Sequence, residues 1–429
     1  MFGRVKDMLD ITMDKIKEKL LSGEFGLELE GLRIDQGGYL AHTPHPFPDD
    51  DHIVRDFCEN QIEINTGVEH SPKKAVETLG KYYRQIQNTL KTLPQPEFLW
   101  AFSNPPYIKS EDDIPVADFT GIDSSKTRYR NYLSDRYGRY KMAFSGIHLN
   151  YSFSEELLRA AFTQSGQKDY KDYKNHIYLE LAEKLTVYGW IVVAVTAASP
   201  LLDSSYVEKG KCGEDVFLGL ASVRCSELGY WNFFTPIFDY TDIGSYVDSI
   251  QSYIDRGLIQ APSELYYPIR LKPRGLNDLH SLAENGVNHI ELRMIDVNPL
   301  AEYGLDARDV AFVQLLICWL VTIPEQKLSK KQQVQAEQNY KNAAHYDLKT
   351  VKIVMPDGEV CPVADAARHI IQQMKNFYRE YPEEIQEILW YQEEKFMDAG
   401  NRYAWQIREK FKDGYVEKGV KFIRDRLPL

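Results

Sequence analysis

Cationic excess is missing from this sequence of 429 residues. Its 51 Lys and Arg are outnumbered by 63 Asp and Glu, for a formal net charge of −12. Such a surface disfavours a nucleic-acid partner, because phosphate backbones are held by basic surfaces. It does not disfavour a free nucleotide, which needs only a local cluster of cations or metal ions. Long apolar runs are missing too. The longest, such as Val310 to Ile323, are too short to span a bilayer. The N-terminal MFGRVKDMLDITMDKIKEKLL is a charged amphipathic pattern, not a signal peptide. The reading is a cytoplasmic protein with no membrane partner. Cysteine is scarce and scattered, at Cys58, Cys212, Cys225, Cys318 and Cys361, with no CxxC spacing. That argues against a disulfide framework, a zinc site and a thioredoxin-like motif. No GxxxxGK[ST] occurs, no GxGxxG follows a strand, and GxSxG and HExxH are absent. A nucleotide would therefore be held by metals and side chains rather than by a glycine-rich phosphate loop.

What is present reads as α+β. Residues 1–22 and 71–92 have helical spacing, the second with Ala75, Leu79, Tyr82, Ile86 and Leu90 on one face. Residues 25–66 read as short strands around a Gly- and Pro-rich turn region, 93–125 as loop, 140–153 as a strand and 168–188 as a helix. Mixed loops and strands follow to about residue 298. From 306 the pattern is helical (306–323, 328–345, 362–381, 382–399 and 400–425), with a hairpin at 350–360 around Pro-Asp-Gly. No linker or repeat divides the chain. The expectation is one catalytic domain over 1–429: a sheet-rich part to residue 300 and a mainly helical part beyond it.

Four strand-like segments carry ionisable residues at alternate positions. In FGLELEGLRI, Phe25, Leu27 and Leu29 oppose Glu28 and Glu30; in NQIEINT, Ile62 and Ile64 oppose Glu63; in SGIHLNYSF, Ile147 and Leu149 oppose His148 and Asn150; in HIELRMI, Ile290 and Leu292 oppose Glu291 and Arg293. A single amphipathic strand with a solvated acidic face is ordinary in antiparallel sheets. Four such faces in one sheet would crowd Glu28, Glu30, Glu63, His148 and Glu291 together. Carboxylates that close raise one another's pKa unless a cation neutralises them. Oxygen ligands suit Mg²⁺, and the single His admits Mg²⁺ or Mn²⁺ without arguing for zinc. Arg270, Lys272 and Arg274 alternate in YYPIRLKPRG, either as a basic edge strand or as cations for a triphosphate.

GLELEGLRID, TPHP at 43–46, DFCENQIEINT, SGIHLNYSF, SVRCSELGYWN, ELYYPIR and IELRMIDVNPL, in that order from about Phe25 to Leu300, resemble the bacterial-type glutamate–cysteine ligase family. That type includes the N-terminal part of bifunctional glutathione synthases. The resemblance implies a glutamine synthetase-like curved antiparallel sheet forming a funnel. It implies ATP and Mg²⁺ as reactants' companions, with glutamate and cysteine as small-molecule substrates. ATP would phosphorylate the glutamate γ-carboxylate, and an amine would displace the phosphate. On this resemblance Glu28, Glu30, Asp56, Glu63, His148 and Glu291 bind metal. Arg293 contacts phosphate alongside Arg270 and Lys272, and Arg224 grips the glutamate α-carboxylate. Thr66 and Asn150 position that substrate, and Tyr230 and Tyr266 line the acceptor pocket.

Two places depart from the family. The Gln that usually lies three or four residues before the SG of SGIH is replaced by KMAF, which puts Met142 on the acceptor side. The family's E-[LF]-I-T-P reads EINTG. The chain shows nothing resembling the ATP-grasp domain of the bifunctional enzymes. The expected product is the γ-glutamyl dipeptide, with a γ-glutamyl ligase for another amine as the alternative.

Overall fold

The structure is a computed structural model and describes Leu9 and residues 11–426. Its eleven strands are β1 (Gly23–Ile34), β2 (Ile53–Arg55), β3 (Gln61–Asn65), β4 (Phe98–Leu99), β5 (Ile147–Phe153), β6 (Leu202–Asp203), β7 (Asp215–Val216), β8 (Ile269–Pro273), β9 (Val287–Ile295), β10 (Lys352–Val354) and β11 (Val360–Pro362). The main sheet is antiparallel, in the order β2-β3-β1-β5-β9-β8, with β4 added beside the end of β1. The four segments with alternating polar faces are thus consecutive neighbours: β3, β1, β5 and β9.

The alternation in sequence is the alternation in space. Along β1, Phe25, Leu27 and Leu29 are buried, whereas Glu24, Gly26, Glu28 and Glu30 are half-buried on the other face. The buried face packs on helices. Pro72–Lys91 lies against β1, while Tyr170–Tyr188 and Trp190–Thr196 lie behind β8 and β9. Ala307–Leu320 packs in turn on the first two of these, and all of its residues except Ala307, Arg308 and Ala311 are buried. A helix apolar on nearly every side is one enclosed by other elements.

The pairing of β5 with β9 carries a bulge. Leu149 faces Leu292 and Ile147 faces Ile295, so His148 alone stands opposite Arg293 and Met294. Bulges of this kind re-aim side chains at sheet edges and active sites.

Several boundaries differ from those read in the sequence. The first helix spans only Asp14–Lys19; the rest of the 1–22 expectation includes residues 1–8 and 10, outside the described residues. The 140–153 strand is a short helix, Arg139–Met142, followed by β5 from Ile147. Tyr140 and Met142 are buried there, and ladder pairing with β1 begins only at Leu29–Ile147. The last helix divides into Tyr403–Phe411 and Tyr415–Arg426, because Asp413 and Gly414 take φ of 61° and 121°; left-handed backbone ends a helix. Ser124–Tyr137 is a helix, almost all of it in a stretch to which the sequence reading gave no element, and Ile243–Asp255 is a helix in a stretch read as mixed. The 350–360 hairpin is present as β10 and β11.

The far end of β1 is fastened by a buried ion pair. Arg33 Nη1 lies 2.7 Å from Glu97 Oε2 and donates to Thr43 Oγ1 at 2.7 Å, while Nη2 donates to the Thr43 carbonyl at 2.7 Å. Both charged side chains are almost wholly buried, at 0% and 2% exposure. Removing one partner strands the other charge away from water. Glu97→Ala should therefore lose about 3–5 kcal/mol in chemical denaturation. A loss within error of zero would show that Arg33 is solvated in solution.

Candidate active site

Glu28, Glu30, Asp56, Glu63, Met142, His148, Arg224, Tyr230, Tyr266, Arg270, Lys272, Glu291 and Arg293 line one cavity of about 420 Å³ over the polar face of the main sheet. Three residues singled out in the sequence are not among its lining. Thr66 Oγ1 accepts from Leu27 N at 2.8 Å and fastens the end of β3 to β1. Asn150 Nδ2 donates to Glu28 Oε1 at 2.9 Å, so it acts on the cavity through Glu28. Arg274 is exposed and also stands outside the lining.

The register explains the acidic cluster. Glu28 pairs with His148, Glu30 with Glu63, and Asn150 with Glu291. His148 Nδ1 lies 2.8 Å from Glu28 Oε2 and 3.7 Å from Glu291 Oε1, and its Nε2 is 3.6 Å from Glu30 Oε1. One ligand atom from each of Glu28, His148 and Glu291 falls within 4.8 Å of the other two. His148 Nε2 and Glu291 Oε2 are buried without a hydrogen-bond partner. Two carboxylates, an imidazole and these orphaned atoms fit a hard divalent cation.

The opposite side of the cavity is cationic. Glu291 Oε1 accepts from Arg293 Nη1 at 2.9 Å, and its Oε2 lies 3.6 Å from Lys272 Nζ and 3.9 Å from Arg270 Nη1. Burial pushes the Glu291 carboxyl up, but Arg293, Lys272 and Arg270 together hold it well below the usual carboxylate range. Burial also opposes charge on Glu28, but the hydrogen bonds from His148 and Asn150 and the charge of His148 together outweigh it, and the net shift is downward. Glu30 and Glu63 sit farther from the cations. Burial raises both, and for Glu63 the neighbouring Asp56, Glu28 and Glu30 charges push it well above the ordinary range. Burial, then Arg293, draws Arg270 down to about 10. Arg270 also donates to the carbonyls of Leu265 and Ser263, so it secures the edge strand as well as facing the cavity.

Arg224 is 7% exposed and forms no ion pair among the described residues; its Nη1 reaches only the Ile295 carbonyl, at 3.4 Å, and the Cys225 thiol, at 3.9 Å. A buried guanidinium that interacts with Glu30 and Asp296 without pairing directly with either has donors free for an incoming carboxylate. Gly146 makes room for it, since a Cβ there would come within 2.2 Å of Arg224 Cζ. Beyond Arg224 the wall turns apolar and aromatic. Tyr230 donates to Met142 Sδ at 3.1 Å and meets Tyr266 edge-on at 4.9 Å; the Tyr266 hydroxyl is buried with no partner. Phe57, Tyr129, Arg130 and Leu133 also line this part. They went unnoticed in the sequence. Tyr129 and Leu133 do have the four-residue spacing of one helix face, but that helix lies in a charged stretch with a single buried residue, Leu133.

Titration with Mn²⁺, followed by electron paramagnetic resonance, should detect cation binding that Glu291→Gln weakens about tenfold or more. Equal binding by the variant would remove the cluster as a cation site.

A family model described as glutamate–cysteine ligase matches residues 9–255 and 233–343. The bifunctional glutathione biosynthesis protein of Listeria monocytogenes is 32% identical over 420 residues, covering 94% of this chain and 54% of that protein. The glutamate–cysteine ligase of Clostridium acetobutylicum is 31% identical over 389 residues, covering 79% of this chain and 80% of that protein. The chain spans about half the length of the bifunctional relatives it matches. Among solved structures, the bifunctional glutathione synthetase of Pasteurella multocida aligns with a TM-score of 0.84 at 22% identity, over 98% of this chain and 54% of that one. The glutamate–cysteine ligase of Francisella tularensis in complex with AMP aligns with a TM-score of 0.83 at 24% identity, over 94% and 88%. At these identities the two structures speak to the fold: mixed helix and antiparallel sheet.

Proposed function

We propose the following activity for this chain, which belongs to the glutamate–cysteine ligase family: it joins the γ-carboxylate of glutamate to the amine of cysteine, at the expense of ATP, through a γ-glutamyl phosphate. The observation that carries this reading is the division of one cavity into an acidic part, a cationic part and a third part holding an arginine that makes no direct ion pair. Phosphoryl transfer to a carboxylate needs those three parts together.

Glu28, His148 and Glu291, with Glu30, Glu63 and Asp56 beside them, would hold Mg²⁺ or Mn²⁺. The cation supplies neutralisation of the triphosphate and of the charge that develops on the transferred group. The protein's own groups do the rest. Arg293, Arg270 and Lys272 face the phosphates from β8 and β9 and stabilise the equatorial oxygens in transfer. Arg224 takes the α-carboxylate of glutamate and so fixes where the γ-carboxylate lies. The γ-phosphoryl group passes to that carboxylate and ADP leaves. The acceptor nitrogen, held against Tyr230, Tyr266 and Met142, then attacks the acyl carbon. Its lone pair forms the C–N bond, the C–O bond to phosphate breaks, and the amine gives up a proton. The cavity is read as a funnel, with nucleotide at the Gly23 and Phe153 end of the strands and amino acids at the Gly146 and Ile295 end.

A second acceptor is favoured by one contact. The Tyr230 hydroxyl is engaged by a thioether, so at Met142 the acceptor wall is apolar, which suits an amine with an apolar side chain.

Glu28→Gln and Glu291→Gln should each cut glutamate-dependent ADP release at least about a hundredfold, with the circular dichroism spectrum unchanged. Normal turnover in either variant would refute their place in the site. Incubation with ATP, Mg²⁺, glutamate and mixed amines, read by product mass, should give γ-glutamylcysteine as a leading product. If cysteine is not among the best acceptors, the acceptor assignment fails and the apolar amine stands. Met142→Gln should then move the relative rates toward cysteine; unchanged rates would show that residue 142 does not select the acceptor.

A further inference from the structure

Arg224 sits on a turn, 222–226, outside any helix or strand. Something other than regular structure must therefore fix where its guanidinium lies. Within the turn, Ser226 N donates to the Ser222 carbonyl at 3.1 Å and Cys225 N donates to Ser222 Oγ at 3.2 Å. A serine that accepts from the N–H three residues on fixes such a turn as an N-cap fixes a helix. The same hydroxyl donates its proton to Asp296 Oδ1 at 2.9 Å.

Asp296 follows the last residue of β9 and is 1% exposed. Its Oδ2 accepts from Ala198 N at 2.9 Å and from Ser199 Oγ at 2.7 Å. Three segments thus meet on one carboxylate: the chain leaving helix Trp190–Thr196, the turn that carries Arg224, and the end of β9. The backbone joins the first two only by an isolated parallel bridge, with Ser199 N donating to the Ala221 carbonyl at 2.9 Å and Val223 N to the Ser199 carbonyl at 3.3 Å. Ala221 N and Ser222 N also donate to the Ala344 carbonyl, at 2.8 and 3.0 Å, which holds the chain entering the turn. From β9 itself, the Ile295 carbonyl accepts from Arg224 Nη1 at 3.4 Å. Neighbouring residues of one strand end therefore hold Arg224 twice, Ile295 by its side chain and Asp296 through Ser222 by its backbone.

Two hydroxyls and an amide could be met by a neutral side chain. A buried charge is costlier and calls for a counter-charge. Burial opposes the ionised form of Asp296, and the charge of Arg224 favours it. A carboxylate paired directly with the guanidinium would compete with a ligand for its donors. One set behind the turn offsets part of the burial of Arg224 and leaves those donors to the cavity.

We propose that Asp296 is a positioning residue for the amino-acid substrate: through Ser222 it sets the turn that presents Arg224, and it supplies counter-charge without taking the donors. The proposal rests on the assignment of Arg224 to the α-carboxylate of glutamate above. Neither Asp296 nor Ser222 lines the cavity, so both act through Arg224 alone.

Asp296→Asn keeps the volume and removes the charge. Its KM for glutamate should rise roughly tenfold, with kcat and the KM for ATP within about twofold of the wild type. Ser222→Ala should shift the glutamate KM in the same direction, and the double variant should be no worse than Asp296→Asn, because both substitutions cut one chain of contacts. Ser222→Ala decides the matter should Asp296→Asn not fold. A general brace of the fold would instead move kcat and the ATP KM as well, and that result overturns the proposal. Additive losses in the double variant also overturn it. Calorimetry with glutamate on protein loaded with Mg²⁺ and ADP separates this proposal from the ligase reading. Unchanged glutamate affinity in both single variants overturns the positioning role, and leaves the ligase reading intact if γ-glutamyl product still forms. Weakened glutamate binding with ADP affinity kept, but no γ-glutamyl product from the wild type, upholds the positioning role and overturns the ligase reading. No glutamate binding by the wild type overturns both.

Discussion

Opposite charges separated across the width of one sheet are the constraint on which the site depends. β1 and β3 bring Glu28, Glu30 and Glu63 to the polar face, and β8 and β9 bring Arg270, Lys272 and Arg293. Glu291 stands at the seam and is held ionised by the three cations around it. Burial outweighs the partial compensation that His148, Arg224 and Arg293 give Glu30, Glu63 has acidic neighbours instead, and both carboxyls are pushed upward. Like charges this close are tolerated in a fold only with counter-charge nearby. The cationic strands supply part of it, and the cluster is built to receive the remainder from a ligand. A nucleoside triphosphate with a divalent cation matches both halves, anion to the cationic side and cation to the acidic one.

Arg224 belongs to a different logic. Buried arginines normally meet carboxylates, as Arg33 meets Glu97 at the far end of β1. Arg224 meets only a carbonyl and a thiol. The buried carboxylates Glu30 and Asp296 feel its charge but make no direct ion pair with it, which leaves its donors open to a ligand carboxylate. Gly146 is part of the same arrangement, since any side chain there would collide with the guanidinium. The glycine of the SG that precedes β5 thus reads as a spatial requirement of a residue nearly eighty positions later.

The strands of the site were legible in the sequence because period-two alternation survives whatever the tertiary context. Glu28, His148 and Glu291 could be named as neighbours only on the assumption of one sheet, and the observed strand order supplies it. Thr66 and Asn150 were read as substrate contacts; the contacts they make within the chain are to β1 and to Glu28. A short polar side chain beside a reacting group looks the same in sequence whether it faces the ligand or braces a neighbour. The Ser124–Tyr137 helix was missed for a related reason. It lies over the cavity with only Leu133 buried, so it carries no apolar stripe to reveal it. The turn at Asp413–Gly414 escaped because the apolar spacing runs through it.

The bulge opposite His148 has a consequence of phase. Before it, odd-numbered residues of β9, among them Glu291 and Arg293, look toward the cavity, and Ile290 and Leu292 look toward the helices. After it, Ile295 is odd-numbered and yet buried. One additional residue has switched the strand's parity, so the chain can present a catalytic face and then enter the core at Ile295 without a turn. A strand paired without a bulge could slip by two residues and keep its faces. Here the count itself is frozen: shortening or lengthening the stretch between Leu292 and Ile295 by a single residue would oblige either the charged pair or the isoleucine to face the wrong way. Insertions and deletions in this stretch are therefore closed to neutral drift, whatever substitutions it accepts.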